Sequence, residues 1–431
     1  MDTDPLTNSP LPPIGRKFLR YARVYTTSDP TSDSTPSTSC QLVLGEMLRD
    51  ELLAIGAQDV EMDEHGYVFA TIPAAGSAPG APTVGLLAHM DTSPEAPGKD
   101  VRPVVHFAYD GSPITLPGDP DIVLDPATQP ALLRHLGHDV ITSDGTTLLG
   151  SDDKAGIAIL MQLAADLLAD RHARRPTLRL CFTVDEEIGR GVEMLDLEKL
   201  GVSVAYTIDG SGRDCIYAET FNAAEATITV DGVNVHPGYA KDIMVNASRI
   251  LVSLLSELPE EQAPETTQDR EGYLHLQSLS ESTPARAQAT ILLRDFSQEG
   301  LARLKQRIRE TASRHAASHP RARISVAVRD QYRNMRSFIE ESDRRVLDFA
   351  YRAAESMGMQ LTCRVVRGGT DGARLSELGI PTPNIFNGGY DIHSRFEWNT
   401  VQNLERSLVF VKVLLAYWAT NGVASTEEGV S

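Results

Sequence analysis

Cysteine is scarce in this 431-residue chain: Cys40, Cys181, Cys215 and Cys363 lie far apart and form no CxxC pair. That spacing excludes a disulfide framework and a thiolate metal site, so any metal must be held by His, Asp and Glu. Positive charge is also short. Against 59 Asp and Glu there are 40 Lys and Arg, and the net charge of −19 makes nucleic acid and anionic membrane surfaces unsuitable partners. No apolar run reaches the roughly 20 residues a bilayer helix needs. The most apolar stretch near the C-terminus, residues 408–419, is interrupted by Lys412. Met1-Asp2-Thr3-Asp4-Pro5 offers neither a basic n-region nor an apolar h-region, so no secretory signal is expected and a cytoplasmic setting fits best. What is present, 41% hydrophobic and 23% charged residues, suits a globular chain of about two domains.

The proline-rich residues 1–14 show no apolar periodicity and are read as a disordered tail. A short basic helix is expected around 16–25, then a Ser/Thr/Pro/Asp loop up to residue 39. Thr38 and Gln41 have capping-box spacing and would open a helix with Leu44, Met47, Leu48, Leu52 and Ile55 on one face, ending at Gly56. Buried strands are predicted at 83–88, 177–184 and 203–208, with a helix at 154–169 between the first two. This alternation implies an α/β layer built on a mainly parallel sheet. Between residues 224 and 330 the order becomes strand, helix, strand, strand, helix, strand, the βαββαβ of a ferredoxin-like α+β domain. In its strand 286–294, Gln288, Thr290, Leu292 and Arg294 share one side, opposite Ala289, Ile291 and Leu293. The α/β pattern then resumes. One domain, 15–223 and 331–431, is therefore interrupted by an inserted domain, 224–330.

Several predicted strands and turns of the first domain end in metal-ligand residue types. His89-Met90-Asp91 closes a buried strand with both polar side chains on one side, so that Asp91 can fix the His89 tautomer. Asp152 and Asp153 precede a helix, and Asp209-Gly210 ends another buried strand. Asp185-Glu186-Glu187 follows an apolar strand, and adjacent glutamates suit a division in which one ligates and the other stays free as a base. His393 follows a Gly-rich loop, Gly388-Gly389-Tyr390. Taken singly, each also fits a plainer role: a surface pair, a helix N-cap, a solvated turn. Their combination at strand ends, where α/β sheets form their ligand crevice, is the complement for a pair of zinc-like ions.

The words His89-Met90-Asp91-Thr92-Ser93-Pro94, Gly150-Ser151-Asp152-Asp153-Lys154-Ala155-Gly156, Thr183-Val184-Asp185-Glu186-Glu187-Ile188-Gly189 and Thr207-Ile208-Asp209-Gly210 occur in one order. With Asn234-Val235-His236-Pro237-Gly238, Arg294-Asp295-Phe296, Arg367-Gly368-Gly369-Thr370-Asp371-Gly372-Ala373 and Pro383-Asn384-Ile385-Phe386, the chain resembles the tripeptide aminopeptidases of the peptidase T family. These belong to the dizinc exopeptidases that also include succinyl-diaminopimelate desuccinylase and glutamate carboxypeptidase. The resemblance spans about residues 16–419. It implies a zinc-exopeptidase-like catalytic domain interrupted by a lid and dimerisation domain, with two zinc ions per subunit, cobalt or manganese as substitutes, and a homodimer acting on tripeptides. By the same resemblance His89 and Asp209 would be terminal ligands of one zinc, Glu187 and His393 of the other, and Asp152 the bridge. Asp91 would orient His89 and Glu186 would be the general base. His236 would polarise the scissile carbonyl, and Arg294 would hold the substrate's C-terminal carboxylate. Ser394-Arg395-Phe396 stands where the family commonly has Gly-Lys-His, a departure that bears on how the pocket is lined.

Overall fold

A computed structural model describes residues 10–422 and divides into two units. One runs to residue 218 and takes in 337–364 and the chain from Thr370 onward; the other is 219–336 with 365–369. Part of the disordered tail expected over 1–14 is instead packed into the fold. Leu11 and Ile14 are buried, and the helix Pro13–Ala22 starts on a proline, which suits a position whose N–H has no helical partner. Residues 1–9 lie outside the described residues.

The first unit is built on an eight-stranded sheet. Its order is Gln58–Met62, Val68–Ile72, Leu178–Thr183, Val84–His89, Val204–Gly210, Asn384–Phe386, Cys215–Thr220, Thr362–Val366. Expected as mainly parallel, the sheet is mixed: it is parallel in its centre, from Leu178–Thr183 across to Asn384–Phe386, and antiparallel where Val68–Ile72 and Cys215–Thr220 join that centre. Gln58–Met62 and Val68–Ile72 are joined by a turn closed by Gly66 at φ 88°, too short for the crossover that parallel strands need, so they pair antiparallel. The crossover into the centre is the helix Ser151–Ala169. It is apolar almost all round because it packs on the strand Val84–His89 and on the helices Pro13–Ala22 and Val401–Asn421. A second, three-stranded sheet orders Trp398–Thr400, Val140–Thr142, Val104–His106 over a small core of Tyr109, Leu116, Leu132 and Trp398.

The helix Cys40–Ala54 forms with Leu44, Leu48 and Leu52 fully buried, but its capping box does not. Thr38 Oγ1 donates to Thr27 O at 2.8 Å, and Gln41 Nε2 donates to Asp185 Oδ1 at 2.7 Å. A tertiary carboxylate outcompetes the local cap because it offers a charge-assisted bond.

The second unit is a four-stranded antiparallel sheet ordered Tyr273–Ser282, Arg286–Asp295, Asn222–Asp231, Arg323–Tyr332, the ferredoxin-like order. The helices Ala247–Leu255 and Gln298–Ser318 cover one face over Ala226, Ile228, Ile291, Leu293, Leu254 and Ile308. The first of these helices starts at Ala247 because Asn246 caps it by accepting the Arg249 N–H at 3.1 Å. Among the described residues no helix is long and apolar enough to cross a membrane.

Candidate metal centre

The parallel register of the central strands sets their carboxyl ends side by side, so residues far apart in sequence converge there. Val84–His89 delivers His89, Val204–Gly210 delivers Asp209, and Leu178–Thr183 runs into Asp185 at φ 57° and a short 3-10 turn carrying Glu186 and Glu187. Asp152 enters at the start of the crossover helix and His393 from a loop in which it holds φ 59°. His89 Nε2 lies 3.0 Å from Asp152 Oδ1 and 3.6 Å from Asp209 Oδ1. His393 Nε2 lies 3.2 Å from Asp152 Oδ2 and 2.8 Å from Glu187 Oε2. Asp152 thus faces one histidine with each oxygen. Of the neighbouring acids, Asp153 does the capping: its Oδ1 accepts the Gly156 N–H at 3.0 Å and the Asn387 amide at 2.9 Å, leaving Asp152 to the cluster.

Burying this much charge perturbs every group in it. Burial pushes the Glu187 carboxyl up to about 8, with the Asp152 charge adding to it, and pushes Asp209 up to about 6 for the same two reasons. Glu186 is driven well above the usual carboxylate range by burial and then by Asp209. For Asp152, burial also favours the neutral form, but hydrogen bonds from His393 and His89 outweigh it and hold the carboxyl below its ordinary value. Burial lowers the His393 imidazole, and the bonds to Asp152 and Glu187 more than reverse that, raising it to about 12.

The donor set suits hard or borderline cations. His89, Asp152 and Glu187 offer one ligand atom each within 4.8 Å of one another, as do His89, Asp153 and Asp209. Glu187 Oε1 and Asp153 Oδ2 are buried with no hydrogen-bond partner, an arrangement costly for a carboxylate unless a cation completes it. Nitrogen and oxygen donors without thiolate fit a zinc-like catalytic pair.

Other side chains hold this cluster in place, and most escaped sequence reasoning. Asp91 does more than face His89, whose Nδ1 lies 3.0 Å from the Asp91 carbonyl and 3.4 Å from its carboxylate. The same carboxylate accepts the backbone N–H groups of Glu186 at 3.0 Å and Glu187 at 3.1 Å, tying the acidic turn to the histidine strand. Asp185 turns away from the cluster and accepts Ser37 N and Gln41 Nε2, both at 2.7 Å. The second nitrogen of His393 meets Glu95 Oε2 at 3.1 Å, a partner 298 residues away that no local pattern marks. His236 and Arg294 belong to the second unit. His236 is exposed, with Nδ1 accepting the Gly238 N–H at 3.2 Å, and stands 5.4 Å from the Tyr239 ring. Arg294 is buried on the sheet face opposite Ile291 and Leu293, its Nη1 donating to Ala224 O and Leu293 O and its guanidinium over the Tyr332 ring.

Residues 218–320 match the family described as the peptidase dimerisation domain. The chain is 43% identical to peptidase T of Geobacillus kaustophilus, covering 92% of this chain and 96% of that one. It is 41% identical to peptidase T of Bacillus subtilis over the same shares. Among solved structures, the aminopeptidase PepT of Bacillus cereus shares the fold with a TM-score of 0.71 at 21% identity, covering 94% of this chain and 98% of that one. YxeP of Bacillus subtilis, described as a dinuclear metal-binding peptidase of the M20 family, shares it with a TM-score of 0.63 at 16% identity, covering 94% and 96%.

Proposed function

The chain belongs to the peptidase T family, and from that premise we propose that it is a dizinc aminopeptidase releasing the N-terminal residue of tripeptides in the cytoplasm. The observation that supports this most is the buried cluster in which Asp152 faces both His89 and His393 while Glu187 and Asp209 flank it, and in which Glu186, close enough to feel the Asp209 and His89 charges, belongs to neither group of possible metal donors.

In this reading His89 and Asp209 would hold one ion, Glu187 and His393 the other, and Asp152 would serve both. Zinc, or cobalt or manganese in its place, would supply Lewis acidity there, lowering the pKa of a water and offsetting charge on the attacked carbonyl. Glu186 takes the water's proton and returns it to the leaving amine, which is why its carboxylate must remain uncoordinated. Asp91 holds the Glu186 and Glu187 main chain and so fixes base and ligand relative to His89. From the second unit, His236 is assigned the scissile carbonyl and Arg294 the peptide's C-terminal carboxylate, a group that a guanidinium binds bidentately.

The test is a ladder of matched di-, tri- and tetrapeptides offered to zinc-loaded protein, with products identified by mass, and the same tripeptide amidated at its C-terminus. Release of the N-terminal residue from the tripeptide acid above all others is expected. Preference for the dipeptide or for an N-acyl amino acid would replace the tripeptide assignment, and equal rates on acid and amide would remove the role given to Arg294.

A further inference from the structure

Four residues beyond His393, Glu397 is 1% exposed, yet it touches no cation within ion-pair distance among the described contacts. Its two oxygens are taken up by main chain. Oε2 accepts the N–H of Leu149 at 2.8 Å and of Gly150 at 2.7 Å, and Oε1 accepts the N–H of Asp152 at 3.0 Å. All three contacts use the carboxyl group as acceptor, so it acts as a clamp on three main-chain donors of the turn. Burial raises this carboxyl to about 7 and the three N–H groups pull it back.

The same segment grips the turn at two more points. Asn399 Nδ2 donates to Ser151 Oγ at 2.8 Å, and Asn387 Nδ2 donates to Asp153 Oδ1 at 2.9 Å. From the other side the fully buried Lys154 packs over Gly150, where a Cβ would stand 3.6 Å from Nζ, and it donates to Val24 O at 2.6 Å. Gly150 itself holds φ 77°, a left-handed conformation that glycine adopts freely and that lets the main chain turn sharply into Ser151. Asp152 leaves this turn with non-helical φ and ψ, and its two oxygens face two different histidines. Its aim is therefore set by the turn and not by the helix that follows.

We propose that Glu397 is a positioning residue for the metal centre: its carboxylate fixes the 149–152 turn so that Asp152 spans the two histidine sites. This inference rests on the dizinc reading. Because Asp152 serves both ions, Glu397 governs both together, whereas Glu95, which meets only His393, governs one. The loop that supplies the terminal histidine thus also supplies the brace of the bridging carboxylate.

Glu397→Gln tests it, because the amide keeps the shape but turns an NH₂ group toward one of the three N–H donors. Zinc affinities are read by competition with a chromophoric chelator on wild type, Glu397→Gln and Glu95→Gln, alongside the thermal midpoint of each metal-free protein. Loss of a partner that orients a ligand typically weakens metal binding about 10- to 100-fold. We expect that loss at both zinc sites of Glu397→Gln with the metal-free midpoint little changed, and at one site only of Glu95→Gln. Should Glu397→Gln not fold, the comparison runs on Glu397→Asp, which keeps the charge but withdraws the acceptors by one methylene and should weaken both sites together. Wild-type affinity in the folded Glu397 variant, or loss of one zinc alone, overturns the proposal. Wild-type protein that binds no zinc overturns the dizinc reading itself.

Discussion

Glu186 and Glu187 leave the same short turn and meet different neighbours. Glu187 Oε2 lies 2.8 Å from His393, while burial and the Asp209 charge act on a Glu186 that makes no ligand contact of this kind. The expected outcome is a split phenotype. Glu186→Gln should retain both metals and lose kcat by about 10²- to 10⁴-fold, the usual contribution of a general base; Glu187→Gln should lose metal. Metal analysis paired with kinetics decides it, and a metal-free Glu186→Gln beside a loaded Glu187→Gln would exchange the two roles. The side chains that the structure brings together, His89, Asp152, Glu187, Asp209 and His393, were legible in the sequence because each follows an apolar run or a glycine-rich loop. Their supports were not. Asp185 reads as a third acid in a row until Ser37 and Gln41 are seen to bind it, and Glu397 reads as a charge beside Trp398 until three distant N–H groups are found on it.

At the scale of elements, period and punctuation located the three central strands 83–88, 177–184 and 203–208 and the four strands of the second unit, since a buried strand must be apolar and must end somewhere polar; Gln58–Met62, Val68–Ile72, Cys215–Thr220 and Asn384–Phe386, short or less apolar, were not foreseen. Pairing direction and caps were less legible, being decided by tertiary partners: the edge hairpin on one side and Cys215–Thr220 on the other made the sheet mixed, and Asp185 drew Gln41 away from the helix end it was expected to cap. The three-stranded sheet offers a test of how firmly the His393 loop is seated. There His135 is fully buried, its Nε2 3.2 Å from the Tyr390 hydroxyl, with Tyr390 stacked on Trp398 at 4.3 Å. Burial, reinforced by the His138 charge, lowers the His135 imidazole to about 4. A histidine that is harder to protonate when folded than when unfolded stabilises the fold fully above its unfolded value of about 6.5, and that contribution fades as pH falls toward 4. Wild type should therefore exceed His135→Asn in stability by an amount that is greatest above about pH 6.5 and shrinks by roughly 1–3 kcal/mol toward pH 4. Denaturant titrations of both proteins across that range measure it; a difference independent of pH would show that His135 does not titrate as its surroundings imply.

On the scale of the whole molecule the open matter is how many chains make one enzyme. The second unit matches a peptidase dimerisation domain, and it carries Tyr239 at 77%, Val252 at 62% and Leu279 at 53% exposure, large apolar groups that gain by being covered. His236 sits three residues from that exposed tyrosine, in a unit that contributes nothing to the donor set of the metal centre. Our reading is a homodimer in which each His236 serves the partner's centre. The case for it is arithmetic in subunits. A His236→Ala chain keeps an intact centre but lacks the histidine; a Glu186→Gln chain keeps the histidine but lacks the base. Each alone should be nearly inactive. If His236 acts across the dimer, a mixed pair joins one good centre to one good histidine, and an equal mixture at exchange equilibrium should recover about a quarter of wild-type activity, half of the dimers being mixed and each having one working site of two. Silence despite exchange verified by mass would assign His236 to the centre of its own chain, and a monomer by light scattering would remove the dimer.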